Sequence, residues 1–308
     1  MMTAFRPPSV SAAAWIDRQG VIHGFCAANK VERIRSLIQQ PSATAGDGDS
    51  HRSSADVQER SLEASVRGYG QHWDFRENLW KEHPELERWL LEEEPAQLAA
   101  DLLSSDRVWL LRDQTYCKRP GSELTPWHQD ALFIPVEGCE FLTIWIPLSS
   151  IRSQADAPLE YWRAPHPCCE LLDGGSSSSS HSQNRRTWTA DGRDHTTTLG
   201  LKPGDCSYHD GWTLHGSDRH EAASERLAIV AVYGCGEGVL RLTPAMSLAP
   251  SSLRGQSHLL REGLHGSCFP GLREGEPVPS HHNPWIRCSP RENSPKVRPR
   301  APIESQQQ

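Results

Sequence analysis

Phe141-Leu142-Thr143-Ile144-Trp145-Ile146-Pro147 is the stretch that decides the fold class. It is a run of aromatic, branched and apolar residues closed by a proline, which has no N–H to give to a sheet ladder, and it reads as a strand. Leu227-Ala228-Ile229-Val230-Ala231-Val232-Tyr233, ended by Gly234, reads the same way. From Val108 onward such β-type runs alternate with turn residues. Upstream the character is helical. Val31, Ile34, Leu37 and Ile38 fall at three- and four-residue spacings, which predicts an amphipathic helix over 28–40. Pro84 suits the first position of a second helix, whose Leu86, Trp89 and Leu90 share a face; Pro95 restarts the pattern with Leu98, Ala99 and Leu102. Short strands after a helical start predict a mainly β fold, a sandwich or barrel braced by flanking helices.

Only 36% of the 308 residues are hydrophobic, so the core must be diluted by loops and tails. Residues 41–60 are small and polar and read as a flexible insertion; 173–194, with five consecutive serines at Ser176 to Ser180, read as another. Residues 1–11 and the Pro-, Arg-, Ser- and Gln-rich 289–308 are expected to be disordered. A net charge of -7 predicts no basic face and therefore no nucleic-acid partner. Nine cysteines without a Cys-x-x-Cys spacing predict reduced thiols inside the cell. No apolar run is long enough for a membrane span, and the N-terminal stretch lacks an apolar leader core. The final Ser-Gln-Gln-Gln is not a peroxisomal tripeptide, so a cytoplasmic location is expected. Oligomeric state is not legible.

Chemistry concentrates in Trp127-His128-Gln129-Asp130. Residues two apart on a strand point to one face, so His128 and Asp130 can share a metal. A third ligand must come from elsewhere. His215, followed by Gly216-Ser217, is the first candidate and His209, in Tyr208-His209-Asp210, the competitor. Arg226, eleven residues past His215, can grip a carboxylate with two parallel hydrogen bonds. A His-x-Asp pair with a distant His is the pattern of a two-histidine-one-carboxylate iron site with open positions.

Several segments carry a resemblance: Lys118-Arg119-Pro120-Gly121, Thr125-Pro126-Trp127-His128-Gln129-Asp130, Leu142 to Leu148, Leu159-Glu160-Tyr161-Trp162-Arg163, Gly204-Asp205, His215-Gly216-Ser217 and Arg226. Weaker echoes lie at Ile16–Ile22 and Phe269–Gly275. Together they resemble the phytanoyl-CoA dioxygenase family of Fe(II)- and 2-oxoglutarate-dependent oxygenases, over one domain at 12–288. The resemblance implies a double-stranded β-helix, a jelly-roll barrel, with iron in its mouth. It implies His128, Asp130 and His215 as ligands of Fe(II), and Arg226 on the distal carboxylate of 2-oxoglutarate. Trp145 matches a position beside that cosubstrate, Gln114 one where the family also approaches it, and Ser217 could add a hydrogen bond to the same carboxylate. Lys118 is either structural or faces the cosubstrate. The implied reaction uses O2 to hydroxylate a small organic or lipid-like substrate, releasing succinate and CO2. Asp130 favours hydroxylation over halogenation, because halogenating relatives lack that carboxylate.

The chain departs from the family at Ser149-Ser150-Ile151 and Arg163-Ala164-Pro165-His166, segments that would line the substrate side. A branched acyl-CoA substrate is therefore not implied. Two other readings stand beside this one: a jelly-roll metal protein of another class, such as a cupin-type hydrolase or isomerase, and a non-catalytic relative that binds without turning over.

Overall fold

The two long apolar runs lie side by side in one sheet. The computed structural model describes residues 15–16, 19–39, 73–162, 195–242, 265–289 and 296–297. In chain order its elements begin with β1 (Trp15–Ile16), β2 (Gln19–Ile22), α1 (Ala28–Ile38) and β3 (Trp73–Glu77). Helices α2 (Pro84–Glu92) and α3 (Glu94–Leu103) lead into β4 (Arg107–Lys118) and β5 (Thr125–His128). Then come β6 (Val136–Glu137), β7 (Glu140–Pro147), β8 (Leu159–Trp162), β9 (His195–Thr197), β10 (Cys206–Asp210) and β11 (Leu214–Ser217). The chain continues through β12 (Arg226–Cys235), β13 (Gly238–Leu240), β14 (Pro277–Val278), β15 (Trp285–Arg287) and β16 (Lys296–Val297).

Seven strands form the larger sheet, in the order β15-β4-β12-β7-β10-β2, with β3 also on β4. Four form the smaller one, β5-β11-β8-β9. Neighbours in both are antiparallel. The strands of the larger sheet read as continuous apolar runs because both faces are buried. Leu142, Ile144 and Ile146 of β7, with Leu227, Ile229, Ala231 and Tyr233 of β12, pack outward against Val31, Ile34, Leu86, Trp89, Leu90, Ala99 and Leu102 of the helices. The alternate residues Phe141, Trp145, Ala228, Val230 and Val232 turn inward and meet Leu159 and Tyr161 of the smaller sheet. Tyr233 Oη also donates to the Leu90 carbonyl at 2.7 Å, pinning α2 to the sheet. This is the jelly-roll barrel expected, with the helices on its outer wall.

One irregularity shapes the interior. On β12, Val232 faces Arg112 and the next residue, Tyr233, faces Leu110, so Leu111 is an extra residue in β4. Such a bulge shifts the alternation by one. Trp109 and Leu111 face inward before it; beyond it Arg112, Gln114, Tyr116 and Lys118 lie directly opposite Val232, Val230, Ala228 and Arg226. Directly opposed residues share a face, so the far half of β4 presents a polar inner wall.

Elements follow the sequence with small differences. The first helix ends at Ile38, and the third starts at Glu94 with Pro95 inside its first turn. Strand β3, ahead of α2 and α3, was not expected. Residues 1–11, 41–60 and 173–194 lie outside the described residues, as does most of the tail. Within that tail Lys296–Val297 pairs in parallel with Trp15–Ile16, and Ser289 accepts a hydrogen bond from Gln97.

Candidate active site

His128 ends β5 and faces His215 of β11 in direct register. Gly216 lets the two strands come this close: a Cβ there would lie 2.8 Å from the Thr125 carbonyl oxygen. Asp130 does not continue the strand. It opens a single 3-10 turn, Asp130–Leu132, while Gln129 stays extended at φ -124° and ψ 123°. Buried Gln129 donates to the Trp212 carbonyl at 2.7 Å, and the Ala131 amide donates to the Gly211 carbonyl at 2.8 Å. These bonds fix the turn so that the carboxylate returns toward His128.

The structure brings together one ligand-type atom each from His128, Asp130 and His215, all within 4.8 Å of one another. Asp130 Oδ1 is 3.6 Å from Nε2 of both imidazoles. His215 Nδ1 lies 3.0 Å from the Thr213 carbonyl, so it donates there and leaves the Nε2 lone pair for a metal. Burial alone would raise the Asp130 carboxyl, but the imidazoles around it, His215 foremost, hold it well below the usual carboxylate range. Burial, with His128 and His209 alongside, keeps the His215 imidazole well below its ordinary value. An ionised carboxylate and an unprotonated imidazole are the forms a metal requires.

His209, the competitor for third ligand, also lies at this centre. Its Nε2 is 3.2 Å from Asp130 Oδ2, and its ring centroid is 4.2 Å from that of His215. Thr143 Oγ1 donates to the same Oδ2 at 2.8 Å. Thr143 was missed from sequence, although it is a hydroxyl inside an apolar strand, two residues from Trp145 and on the same face. Tyr161 was missed as well; its hydroxyl is hydrogen-bonded to Ser207 Oγ at 2.8 Å and its ring lies 5.1 Å from that of His209.

At the other end of the wall Arg226 is buried, with Nη1 donating to the Ala157 carbonyl and the guanidinium 5.8 Å above the Trp145 ring. Its Nε is buried without a hydrogen-bond partner among the described residues. Desolvation lowers its pKa to about 10. Directly opposite, buried Lys118 donates from Nζ to Ser217 Oγ at 2.7 Å and to the Asp218 carbonyl at 2.9 Å. Ser217 Oγ in turn donates to Thr125 Oγ1 at 2.9 Å. Burial, then the charge of Arg226, push the Lys118 ammonium well below its usual pKa. Two desolvated cations side by side make a place for an anion. Gln114 is inward-facing but committed: Nε2 donates to Glu77 Oε1 at 2.6 Å, and Oε1 accepts from the Tyr116 hydroxyl at 2.9 Å.

A jelly-roll barrel with a His-Asp-His face and a buried guanidinium on the same inner wall is the arrangement of non-haem iron oxygenases that consume a 2-oxo acid. The donor set fits that metal, and the orphaned Arg226 Nε fits a carboxylate-bearing cosubstrate. The family model Phytanoyl-CoA dioxygenase (PhyH) matches residues 16–228, more than half of the chain, and the chain belongs to that family. It is a non-haem enzyme of the iron- and 2-oxoglutarate-dependent type.

No curated protein is significantly similar in sequence. Among solved structures, the non-haem alpha-ketoglutarate-dependent epimerase SnoN from nogalamycin biosynthesis superposes with a TM-score of 0.58 at 17% identity, covering 88% of this chain and 94% of that one. SnoN solved with Fe3+, alpha ketoglutarate and nogalamycin RO gives 0.55 at 20% identity, over 88% and 94%. The carbocyclase SnoK from the same biosynthesis gives 0.56 at 16% identity, over 88% and 92%. At these identities the likeness is one of fold. No helix among the described residues is long and apolar enough to cross a membrane.

Proposed function

We propose that the chain is a dioxygenase in which His128, Asp130 and His215 hold Fe(II), and which oxidises a C–H bond of a small organic molecule. The observation that carries this is the convergence of those three ligand atoms within 4.8 Å, with His215 Nδ1 turned to the Thr213 carbonyl so that its Nε2 faces the other two. Bound iron supplies open positions where 2-oxoglutarate and O2 meet, the cosubstrate leaving as succinate and CO2 while substrate is oxidised. The chain's own residues bind and orient. Arg226, with its unpaired Nε, takes the distal carboxylate of 2-oxoglutarate, and Ser217 and Trp145 flank it. Gln114 braces the inner wall through Glu77 and Tyr116. Hydroxylation is the expected outcome, since Asp130 keeps the carboxylate on the metal. The seven cysteines described are all free thiols, which supports a reducing, intracellular setting.

The test is anaerobic addition of Fe(II) and 2-oxoglutarate to metal-free protein. A weak visible charge-transfer band is expected, and its absence from folded, iron-loaded protein overturns the proposal. Succinate release in the presence of a metabolite extract then identifies the substrate pool.

A further inference from the structure

Asp130 is held by more than a metal site needs. Its Oδ1 faces both His128 and His215, while Oδ2 takes a 2.8 Å hydrogen bond from Thr143 and lies 3.2 Å from His209 Nε2. Thr143 on β7 and His209 on β10 are direct partners in the sheet, so both rise from one row beneath the carboxylate. His209 is buried, and its Nδ1 has no hydrogen-bond partner among the described residues.

The two tautomers of His209 differ sharply in cost. With the proton on Nδ1, an N–H would be buried unpaired and the Nε2 lone pair would face a carboxylate oxygen. With the proton on Nε2, the imidazole donates to an anion, and what stays unpaired is an acceptor. From this geometry we infer that His209 is a positioning residue, with its proton on Nε2. Together with Thr143 it saturates Oδ2, so that Asp130 presents only Oδ1 to the metal. His209 is not a fourth ligand: its Nε2 is spent on Oδ2, and the converging set is His128, Asp130 and His215. A carboxylate free to bind through both oxygens would take up a position needed by cosubstrate or O2. One histidine therefore keeps that position open without touching the metal. The inference rests on the metal site proposed above and goes beyond it.

The experiment compares wild type, His209→Leu and His209→Gln, each loaded anaerobically with Fe(II) and separately with Co(II). Metal affinity is read by chelator competition and coordination by the Co(II) ligand-field spectrum. Leucine, which cannot donate, is expected to lose ~10–100-fold in affinity, the usual cost of removing an outer-shell partner. Glutamine can donate from its own Nε2 and is expected to recover most of that loss with the wild-type spectrum. Equal affinity in wild type and His209→Leu overturns the inference. So does a spectrum in which both variants have lost one nitrogen ligand, because His209 would then be a ligand itself. A folded wild type that binds neither metal overturns the metal site, a different failure read in the same experiment. Should His209→Leu not fold, imidazole 15N–1H correlations on Zn(II)-loaded wild type decide: a proton on His209 Nε2 supports the assignment, and one on Nδ1 overturns it.

Discussion

Arg226 and Lys118 stand directly opposite each other on β12 and β4, both buried, one hydrogen-bonded to the Ala157 carbonyl and the other to Ser217 and Asp218. Among the described residues no carboxylate forms an ion pair with Arg226. Burying a cation beside another cation is unfavourable unless an anion arrives. Arg226→Ala is therefore expected to weaken 2-oxoglutarate binding by about 2–5 kcal/mol while Fe(II) affinity stays near that of wild type. Titration of the charge-transfer band checks the first and chelator competition the second. Unchanged 2-oxoglutarate affinity would count against the clamp.

Thr143→Val removes a hydrogen bond to Asp130 Oδ2 at almost constant volume. Fe(II) affinity should fall by ~10–100-fold, as for other outer-shell partners. The double variant with His209→Leu should cost less than the two single losses combined, because both donors serve one oxygen. Strict additivity in the chelator assay would mean that they act separately.

Gly216→Ala places a Cβ 2.8 Å from the Thr125 oxygen and 3.3 Å from Trp127, both on β5. Backbone has to yield, so β5 moves away from β11 and His128 from His215. Overpacking of this kind costs about 1–3 kcal/mol, or about 2–12 °C in Tm. Metal affinity should drop as well. Calorimetry and chelator competition on the same sample check both, and a variant that melts lower yet binds iron normally would show that the two strands do not set the ligand spacing.

Asp113 offers a pH test away from the metal. Its Oδ1 accepts the Trp80 amide at 2.9 Å, its Oδ2 is buried with no partner among the described residues, and burial raises its pKa from 3.8 to about 7. Between those two values the folded chain keeps a proton that the unfolded chain has lost. This group's contribution therefore falls as pH rises from about 4 to about 7, and is flat on either side. The full excursion is at most roughly 4 kcal/mol. Asp113→Asn should remove it, so the difference in unfolding free energy between variant and wild type should grow across that window. A difference independent of pH would show that Asp113 keeps its ordinary carboxyl pKa in the folded chain.

How far the sequence could be read follows from the range of each signal. Phe141 to Pro147, Leu227 to Tyr233 and the helix around Leu86 and Trp89 carry their pattern locally, and they fold as read. The smaller sheet is built from strands of three or four residues, such as Thr125–His128 and Leu214–Ser217, too short to show a period. The order of His128, Asp130, His215 and Arg226 along the chain pointed to one site. That His209 would meet the carboxylate's other oxygen depends on its register against Thr143, which only the folded sheet supplies. The same is true of Lys118: nothing in Lys118-Arg119-Pro120-Gly121 reveals that its partner across the sheet is Arg226.

The extra residue at Leu111 gives β4 something like a reading frame. Which letters face the chemistry depends on counting from that point, since a slip of one residue exchanges the two faces of a strand. Losing Leu111 itself would restore a regular ladder and keep the wall, whereas losing one residue beyond it, such as Asp113, would turn Thr115 and Cys117 inward and send Gln114, Tyr116 and Lys118 toward the helices. Exchanging a letter along this strand alters one contact, whereas gaining or losing one between Arg112 and Lys118 rewrites the rest of the wall.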